Sequence, residues 1–259
     1  MKVLILSDIH GNWPALRAVL QAEPGTDQIL CLGDLVNYGP QPAECVAWAM
    51  QLHPPSLVIQ GNHDRAFGLG GELRCAPANQ PLAEAMRLAT SRLLTREMKR
   101  FLGKLEPLKE FHCGQARGVA FHSMAKDPHL PHIDGQNAQW PWETDIILVH
   151  PDKQFVQVGH PDLLLLSHTH TPGTTRWGNT LVVNPGSVGL PTDGDPRAAY
   201  AVWEDGAATL RRAAYDVEET VRAIEPLDLQ EQIKHHLAER LRTGGRMAAT
   251  PPAELSAQS

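Results

Sequence analysis

The sequence has no long apolar segment, few cysteines and no excess of basic residues. No apolar run approaches the roughly 18 residues of a membrane-spanning helix, and the run after Met1 and Lys2 is too short for a signal peptide. The four cysteines show no CxxC spacing, which predicts reduced thiols in a reducing compartment. We therefore expect a cytoplasmic protein with no membrane partner.

The balance of charge restricts the class of partner. The chain has 23 Lys and Arg against 29 Asp and Glu, a formal net charge of −6, and 5% aromatic residues. A polymeric nucleic acid usually requires a basic face, often interleaved with aromatic side chains, so we do not expect one as partner. A small anionic substrate is compatible with an acidic chain if metal ions supply local positive charge. The composition is also compatible with a homo-oligomer.

Apolar runs alternate with helical stretches over the first 60 residues, which is typical of an α/β protein with a parallel sheet. Strands are predicted at Val3–Leu6, Ile29–Leu32, Leu57–Ile59, Leu108–His112, Arg117–His122, Leu163–Leu166, Thr180–Val183, Ala198–Trp203 and Ala207–Ala214. Helices are predicted at Trp13–Ala22, Pro42–Leu52, 80–105 in two pieces, Val217–Ile224 and Leu227–Leu241.

No change of composition divides this pattern. We expect one domain over residues 1–243 and a flexible tail over 244–259, where large apolar residues are few. Residues 123–143 are rich in Pro, His, Asp and Gln and predict a long loop, a length that is often functional.

Side chains that bind metals follow five of the apolar runs. They lie in Asp8-Ile9-His10, Gly33-Asp34, Gly61-Asn62-His63-Asp64, His122 and His168-Thr169-His170. Ligands of an open α/β sheet gather beyond the carboxyl ends of its strands, so these side chains are expected to meet. Seven of them are sufficient for two metal ions, a standard arrangement for cleaving phosphate esters.

Each motif alone has an ordinary explanation as a capping turn, an Asx-turn or a surface histidine. His150 competes with His122, since Ile147–Val149 also precedes it, but Pro151 follows it directly and we prefer His122. The joint occurrence at five strand ends favours a metal centre. Two divalent ions, two carboxylates, a bridging hydroxide and neutral histidines sum to about +1, which suits an anionic phosphate.

These motifs resemble those of the calcineurin-like metallophosphoesterases, in particular the small single-domain phosphodiesterases of bacteria and archaea. The ordered motifs of that family are similar to Asp8-x-His10, Gly33-Asp34, Gly61–Asp64, His122 and His168-x-His170. The resemblance covers most of the chain and extends to Gly33–Pro40, Asn184–Gly189, Tyr215–Glu218 and Leu241–Gly244. It implies a two-sheet sandwich flanked by helices, with four layers in the order α/β/β/α.

The resemblance also implies a role for each residue. The first metal would be held by Asp8, His10, Asp34 and His170, and the second by Asp34, Asn62, His122 and His168. His63 would be the proton donor or phosphate contact, and Asn12, Asn37 and Tyr38 are expected to contact the substrate. The mixed nitrogen and oxygen ligands favour two divalent transition metal ions, with manganese first and iron, zinc, cobalt or nickel as alternatives.

Five residues depart from the family pattern. Ser167 and Ser123 replace small glycines beside the ligand histidines. Gln60 and the pair Asn37-Tyr38 stand where the protein phosphatases of this superfamily carry arginines that clamp a phosphomonoester. These departures favour a phosphodiesterase that uses a metal-bridged hydroxide to attack small phosphodiesters or nucleotides. The alternatives are a phosphomonoesterase or protein phosphatase, a nuclease, and a non-catalytic scaffold with the same fold.

Overall fold

The computed structural model describes residues 1–73, 75, 79–122, 146–149 and 155–245. Its strands are β1 Lys2–Leu6, β2 Gln28–Cys31, β3 Leu57–Val58, β4 Leu108–Cys113, β5 Ala116–Phe121, β6 Ile146–Val149, β7 Phe155–Gly159, β8 Leu163–Leu165, β9 Gly173–Trp177, β10 Thr180–Asn184, β11 Ala198–Glu204 and β12 Ala207–Ala213. Its α-helices are α1 Trp13–Ala22, α2 Pro42–Ala49, α3 Asn62–Leu69, α4 Gln80–Thr90, α5 Arg96–Lys104, α6 Val217–Ile224 and α7 Glu231–Thr243.

The strands form two mixed sheets of five, and β6 and β7 pair separately. The first sheet has the order β12-β11-β1-β2-β3 and the second β4-β5-β8-β10-β9. In the first sheet β1, β2 and β3 are parallel, and in the second β5, β8 and β10 are parallel. The carboxyl ends of each parallel set lie at one edge, which is where the predicted ligands follow. The predicted two-sheet sandwich flanked by helices is confirmed.

Strand β1 is buried on both faces. Val3 and Ile5 pack between the two sheets with residues of β8, whereas Leu4 and Leu6 pack toward the helices that cover the first sheet. A strand covered on both sides reads as a continuous apolar run rather than an alternating one. The short apolar runs of the sequence therefore predicted the strands that end at the site.

Two helices differ in their bounds from the prediction. Helix α2 ends at Ala49 rather than Leu52, because Gln51 and Leu52 donate three residues back, to Trp48 and Ala49, and tighten the last turn. Helix α7 runs over Glu231–Thr243 rather than Leu227–Leu241, since residues 227–230 form turns.

Helix α3 was not predicted, because its sequence lacks a clear apolar stripe. It is stabilised by its packing on α5, where Gly68 and Gly103 bring the two backbones together so closely that a Cβ on Gly68 would collide with Gly103. Strands β7 and β9 were also missed.

The predicted loop at 123–143 lies outside the described residues, as does the predicted tail from residue 246. Its first two residues, Gly244 and Gly245, pack against Asp195 and Thr192. A helix long and apolar enough to span a membrane does not occur in the described part of the chain. The single domain, the cytoplasmic location and the homo-oligomer stay predictions.

Candidate metal centre

The residues beyond the strand ends adopt a rare backbone conformation. Eight non-glycine residues in the described ranges have a positive φ, and seven of them are predicted site residues with φ between 47° and 74°. These seven are Asp8, His10, Asp34, Asn37, Tyr38, His168 and His170. Left-handed backbone at such residues costs about 1–3 kcal/mol each and is concentrated at functional sites in proteins. The clustering therefore marks this edge of the sandwich as the candidate site.

Backbone hydrogen bonds between loops hold this conformation. The Asp8 N–H donates to the Gly33 carbonyl at 3.0 Å, and the His10 N–H donates to the Asp34 carbonyl at 2.9 Å. The Gly189 N–H donates to the Asp8 carbonyl at 3.0 Å, so the predicted Asn184–Gly189 turn closes the site from the second sheet. The ligand loops support one another and are not free to relax separately.

The candidate ligands form two groups. In each group the ligand atoms all lie within 4.8 Å of one another; the groups are Asp8, His10 and His170, and Asp34, His122 and His168. Asp34 lies between the groups, with Oδ2 3.1 Å from Nε2 of His122 and 3.9 Å from Nε2 of His10. The arrangement thus has room for two cations that share one carboxylate.

Two histidines direct lone pairs at each other. The Nδ1 atoms of His10 and His170 face the backbone carbonyls of Val36 at 3.1 Å and Leu190 at 2.7 Å. A carbonyl accepts only, so each Nδ1 carries the proton and each neutral ring presents a lone pair on Nε2. These two Nε2 atoms are 3.1 Å apart, and the His170 atom is 3.2 Å from Asp8 Oδ1. Such a convergence of electron pairs fits a cation.

His122 repeats this geometry in the second group. Its Nδ1 lies 2.7 Å from the Leu32 carbonyl, and its Nε2 lies 3.1 Å from Asp34 Oδ2. Within the described part of the chain, His122 Nε2 and Asp8 Oδ1 are buried without a hydrogen-bond partner of good geometry. Burial lowers the pKa of His122, but the Asp34 and Asp8 carboxylates outweigh it and raise the pKa to about 10. The position therefore strongly favours a positive charge.

The remaining titratable groups are held in the forms that bind metals. Burial, reinforced by neighbouring histidines, lowers the pKa of His10 to about 3 and that of His168 to about 4, so both are neutral at neutral pH. Burial opposes ionisation of Asp8 and Asp34, but the surrounding histidines lower the pKa of both carboxyls. The site offers two carboxylates and the neutral imidazoles of His10 and His168, whereas His122 carries a proton that a bound cation would replace.

Comparison with known proteins identifies the family of this chain. The profile of the calcineurin-like phosphoesterase superfamily domain matches residues 1–205. The chain belongs to the calcineurin-like phosphoesterase superfamily. The predicted family and enzyme class, a phosphate-ester hydrolase, are confirmed by this membership.

Three similar proteins span most of the chain, and two of them are named as phosphoesterases. A protein of Methanocaldococcus jannaschii is 30% identical over 93% of this chain and 98% of its own. The phosphodiesterase YfcE of Escherichia coli is 26% identical over 79% of this chain and 88% of its own. The crystal structure of a metallophosphoesterase from Sphaerobacter thermophilus has a TM-score of 0.66 and 28% identity and covers 94% of this chain and 99% of its own.

In this phosphoesterase Asn12 has a structural task. Its Oδ1 accepts from the Ala15 N–H at 3.2 Å and the Thr220 hydroxyl at 2.9 Å, and its Nδ2 donates to the Gly189 carbonyl at 2.9 Å and the Tyr215 hydroxyl at 3.0 Å. The side chain is fully buried. The substrate contact expected of Asn12 stays a prediction, although all its polar atoms already bind within the protein; its side chain caps α1.

Asn37 and Tyr38 surround His63. The Asn37 Nδ2 lies 2.9 Å from His63 Nδ1, and both side chains are buried. The Tyr38 ring meets the His10 and His63 rings edge-on, with centroids 5.0 and 5.1 Å away. Asn37 is thus placed to hold His63, and Tyr38 forms a wall of the site; the contacts of both with substrate stay predictions.

Asp64 is a residue of the site that the sequence analysis did not single out. Its carboxylate accepts from the N–H groups of Asp34 at 2.8 Å, Leu35 at 2.9 Å and Gly61 at 3.1 Å. Burial, with the adjacent Asp34 carboxylate, raises the pKa of Asp64 to about 7. Asp64 fixes the loop that carries Asp34, and its place in the Gly61–Asp64 motif was the available signal.

Ser167, a departure from the family pattern, adds a contact to a candidate ligand. Its hydroxyl lies 2.9 Å from His122 Nδ1 and 3.1 Å from the His122 carbonyl. The serine therefore supplies a second polar partner for the ring nitrogen that faces away from Asp34. Such outer partners orient metal-binding histidines.

Gly61 provides a steric test of the site. It has φ −85° and ψ 170°, which any residue adopts, but a Cβ there would overlap Asp34 Oδ1 and the Asp34 backbone nitrogen. We expect Gly61→Ala to displace the Asp34 carboxylate and to weaken Mn²⁺ binding by about 10–100-fold, the range seen when support of a ligand is lost. Isothermal titration calorimetry measures this affinity.

Gly118→Ala is the matched control, because its Cβ would meet only the Phe111 ring, between β4 and β5. This variant should have a lower melting temperature and the Mn²⁺ affinity of the wild type. Equal affinities for Gly61→Ala and the wild type would show that the position of Asp34 does not govern metal binding.

Proposed function

We propose that this phosphoesterase is a dimetal phosphodiesterase that acts on small phosphodiesters or nucleotides. The observation that carries the proposal is the convergence of the His10 and His170 Nε2 lone pairs, 3.1 Å apart, beside the Asp8 carboxylate. The short approach of His122 Nε2 to Asp34, 3.1 Å, supports a second cation in the adjacent group.

The proposed ligand sets share Asp34. One ion would be held by Asp8, His10, Asp34 and His170, and the other by Asp34, Asn62, His122 and His168. When bound, two such ions lower the pKa of a water molecule to supply the nucleophile and offset negative charge on the phosphoryl oxygens. The nitrogen and oxygen donors suit Mn, Fe, Co, Ni or Zn better than Ca or Mg, and we expect manganese first.

His63 is proposed to donate to the departing oxygen of the ester. Burial lowers the pKa of His63 more than Asp34 raises it, so its neutral ring is favoured. With the Asn37 amide donating to Nδ1, the ring proton is on Nε2, which lies 4.0 Å from Asp34 Oδ2 and faces the candidate ligands. A donor fixed in this way stabilises charge that develops on a leaving oxygen. Asn37 is a positioning residue for this step.

The surroundings of the site favour a diester over a monoester. The Gln60 side chain donates to the Leu102 carbonyl at 2.8 Å and is buried, so it turns toward α5 rather than the ligands. Tyr38, which stands where the protein phosphatases carry their other arginine, has an uncharged side chain. Because a diester carries one negative charge and an ionised monoester carries two, the weaker cationic support suits the diester.

The intact ligand set counts against the non-catalytic scaffold, and the net charge of −6 counts against a nuclease. The remaining alternative is a phosphomonoesterase or protein phosphatase. Comparing turnover of a diester and a monoester distinguishes it from a phosphodiesterase.

The test is turnover before and after removal of metal. We expect protein treated with a chelator to lose hydrolysis of bis(p-nitrophenyl) phosphate and to regain it with about two equivalents of Mn²⁺ per chain. We also expect kcat/KM for this diester to exceed that for p-nitrophenyl phosphate by at least about tenfold, a difference of 1.4 kcal/mol in barrier. Turnover that survives chelation, or a preference for the monoester, would refute the proposal.

A further inference from the structure

The hydroxyl of Ser167 contacts three polar groups beside the candidate metal centre. Its Oγ lies 2.9 Å from His122 Nδ1, 3.1 Å from the His122 carbonyl and 3.4 Å from the Leu32 carbonyl. The residue is buried. Leu32 follows β2 of the first sheet, whereas His122 and Ser167 follow β5 and β8 of the second. The hydroxyl therefore joins the two sheets where the candidate ligands meet.

These contacts determine how the His122 ring is protonated on the side that faces Ser167. Both carbonyls accept only, so the hydroxyl donates its one proton to a carbonyl and accepts through its oxygen. Nδ1 must therefore donate, and its proton is shared between Ser167 Oγ and the Leu32 carbonyl, which lies 2.7 Å away. Nε2, which lies 3.1 Å from Asp34 Oδ2 and 3.8 Å from Asp8 Oδ1, is left as the nitrogen for a cation.

The histidines of the other ligand group have no such hydroxyl. Nδ1 of His10 faces the Val36 carbonyl at 3.1 Å. Nδ1 of His170 faces the Leu190 carbonyl at 2.7 Å. In the part of the chain that the structure describes, no hydroxyl exchanges a hydrogen bond with either ring. The group that contains His122 thus has a support that the group of His10 and His170 lacks.

We propose that Ser167 is a positioning residue that fixes the His122 ring for one of the two metal ions, and that the affinity for this ion alone depends on the hydroxyl. The inference rests on the dimetal centre of the proposed function. A ring that two partners hold before the ion arrives loses less freedom when the ion binds, so the affinity is higher. The glycine of the family pattern at this position has no side chain to supply the contact.

Ser167→Ala removes the hydroxyl and leaves each of its partners with another hydrogen bond. The Leu32 carbonyl and His122 Nδ1 remain bonded to each other, and the His122 carbonyl still accepts from the N–H of residue 167 at 3.1 Å. No buried polar group of this cluster is left unsatisfied. We therefore expect the metal-free variant to melt within about 3 °C of the metal-free wild type.

Isothermal titration calorimetry with Mn²⁺ measures the effect on each ion. Wild type should bind two ions, and Ser167→Ala should bind one of them about tenfold more weakly and the other within about twofold of wild type. Ser167→Thr keeps the hydroxyl and should recover the affinity. Thr180→Val is the matched control, because the Thr180 hydroxyl is also buried and donates to the Pro161 carbonyl at 2.6 Å, at the amino end of β10. It should bind both ions as wild type does.

Anomalous difference maps at limiting Mn²⁺ identify the affected ion. Relative to wild type, Ser167→Ala should show a weaker peak beside His122 and His168 and an unchanged peak in the other group. Two unchanged affinities, or an equal weakening of both ions together with a lower melting temperature, would overturn the role of Ser167. Failure of the proposed function would appear differently, as wild-type protein that binds two Mn²⁺ ions and hydrolyses no diester.

Discussion

The Asp34→Asn variant is expected to lose both metal ions and to hydrolyse bis(p-nitrophenyl) phosphate at least about 10³-fold more slowly than wild type. Asp34 Oδ2 is 3.1 Å from His122 Nε2 and 3.9 Å from His10 Nε2, so this carboxylate serves both ligand groups. An amide has the same shape without the charge that two cations need. Metal analysis of the purified variant and steady-state kinetics measure the two losses together.

The fold should survive this substitution. An amide oxygen can still accept the His63 N–H, which donates to Asp34 Oδ1 at 2.9 Å. Removal of the charge also relieves repulsion of two carboxylates, since Asp34 raises the pKa of Asp64 and opposes the lowering of the Asp8 pKa by the histidines. Because the surrounding histidines stabilise the Asp34 carboxylate, we expect the metal-free variant to fold but to melt below the metal-free wild type at neutral pH.

Asp205→Asn is the matched control, because Asp205 has the same left-handed backbone, φ 52°, in an exposed turn between β11 and β12. It should leave metal content and turnover unchanged. An Asp34→Asn protein that kept two ions per chain would show that Asp34 does not bridge them.

The His63→Ala variant should keep its metals and lose turnover by about 10²–10⁴-fold. His63 lies outside both ligand groups, yet its Nε2 is 4.0 Å from Asp34 Oδ2. If it donates to the leaving oxygen, the loss will be larger for a diester with an alkoxide leaving group than for one that releases p-nitrophenolate, since the weaker leaving group needs more stabilisation. Kinetics on the two diesters, with metal content measured in parallel, distinguish these effects.

His235→Ala on the exposed face of α7 is the control and should behave as wild type. Undiminished turnover by His63→Ala would show that His63 takes no part in the reaction. A loss accompanied by loss of metal would reassign it to support of the ligands.

The candidate ligands were accessible from the sequence because the parallel strands that carry them are buried on both faces. A strand such as Lys2–Leu6 reads as an unbroken apolar run, and the first polar residue after it marks the sheet edge. Fold class and ligand positions followed from this local pattern together with the family resemblance. Asp8 and His170 meet at 3.2 Å although they are far apart in the chain.

What the sequence did not reveal depends on contacts between distant segments. Three of the four hydrogen bonds of Asn12 join it to α6, to Tyr215 and to the turn at Gly189, and no local pattern predicts them. The α3 helix depends on its close packing with α5 rather than on its own periodicity.

The most direct test of the account is an anomalous difference map from a crystal of the protein loaded with Mn²⁺. We predict two peaks about 3.5–4 Å apart, one contacted by Asp8, His10 and His170 and the other by His122 and His168, with the Asp34 carboxylate touching both. A single peak, or two peaks without Asp34 between them, would contradict the dimetal centre from which the proposed activity is derived.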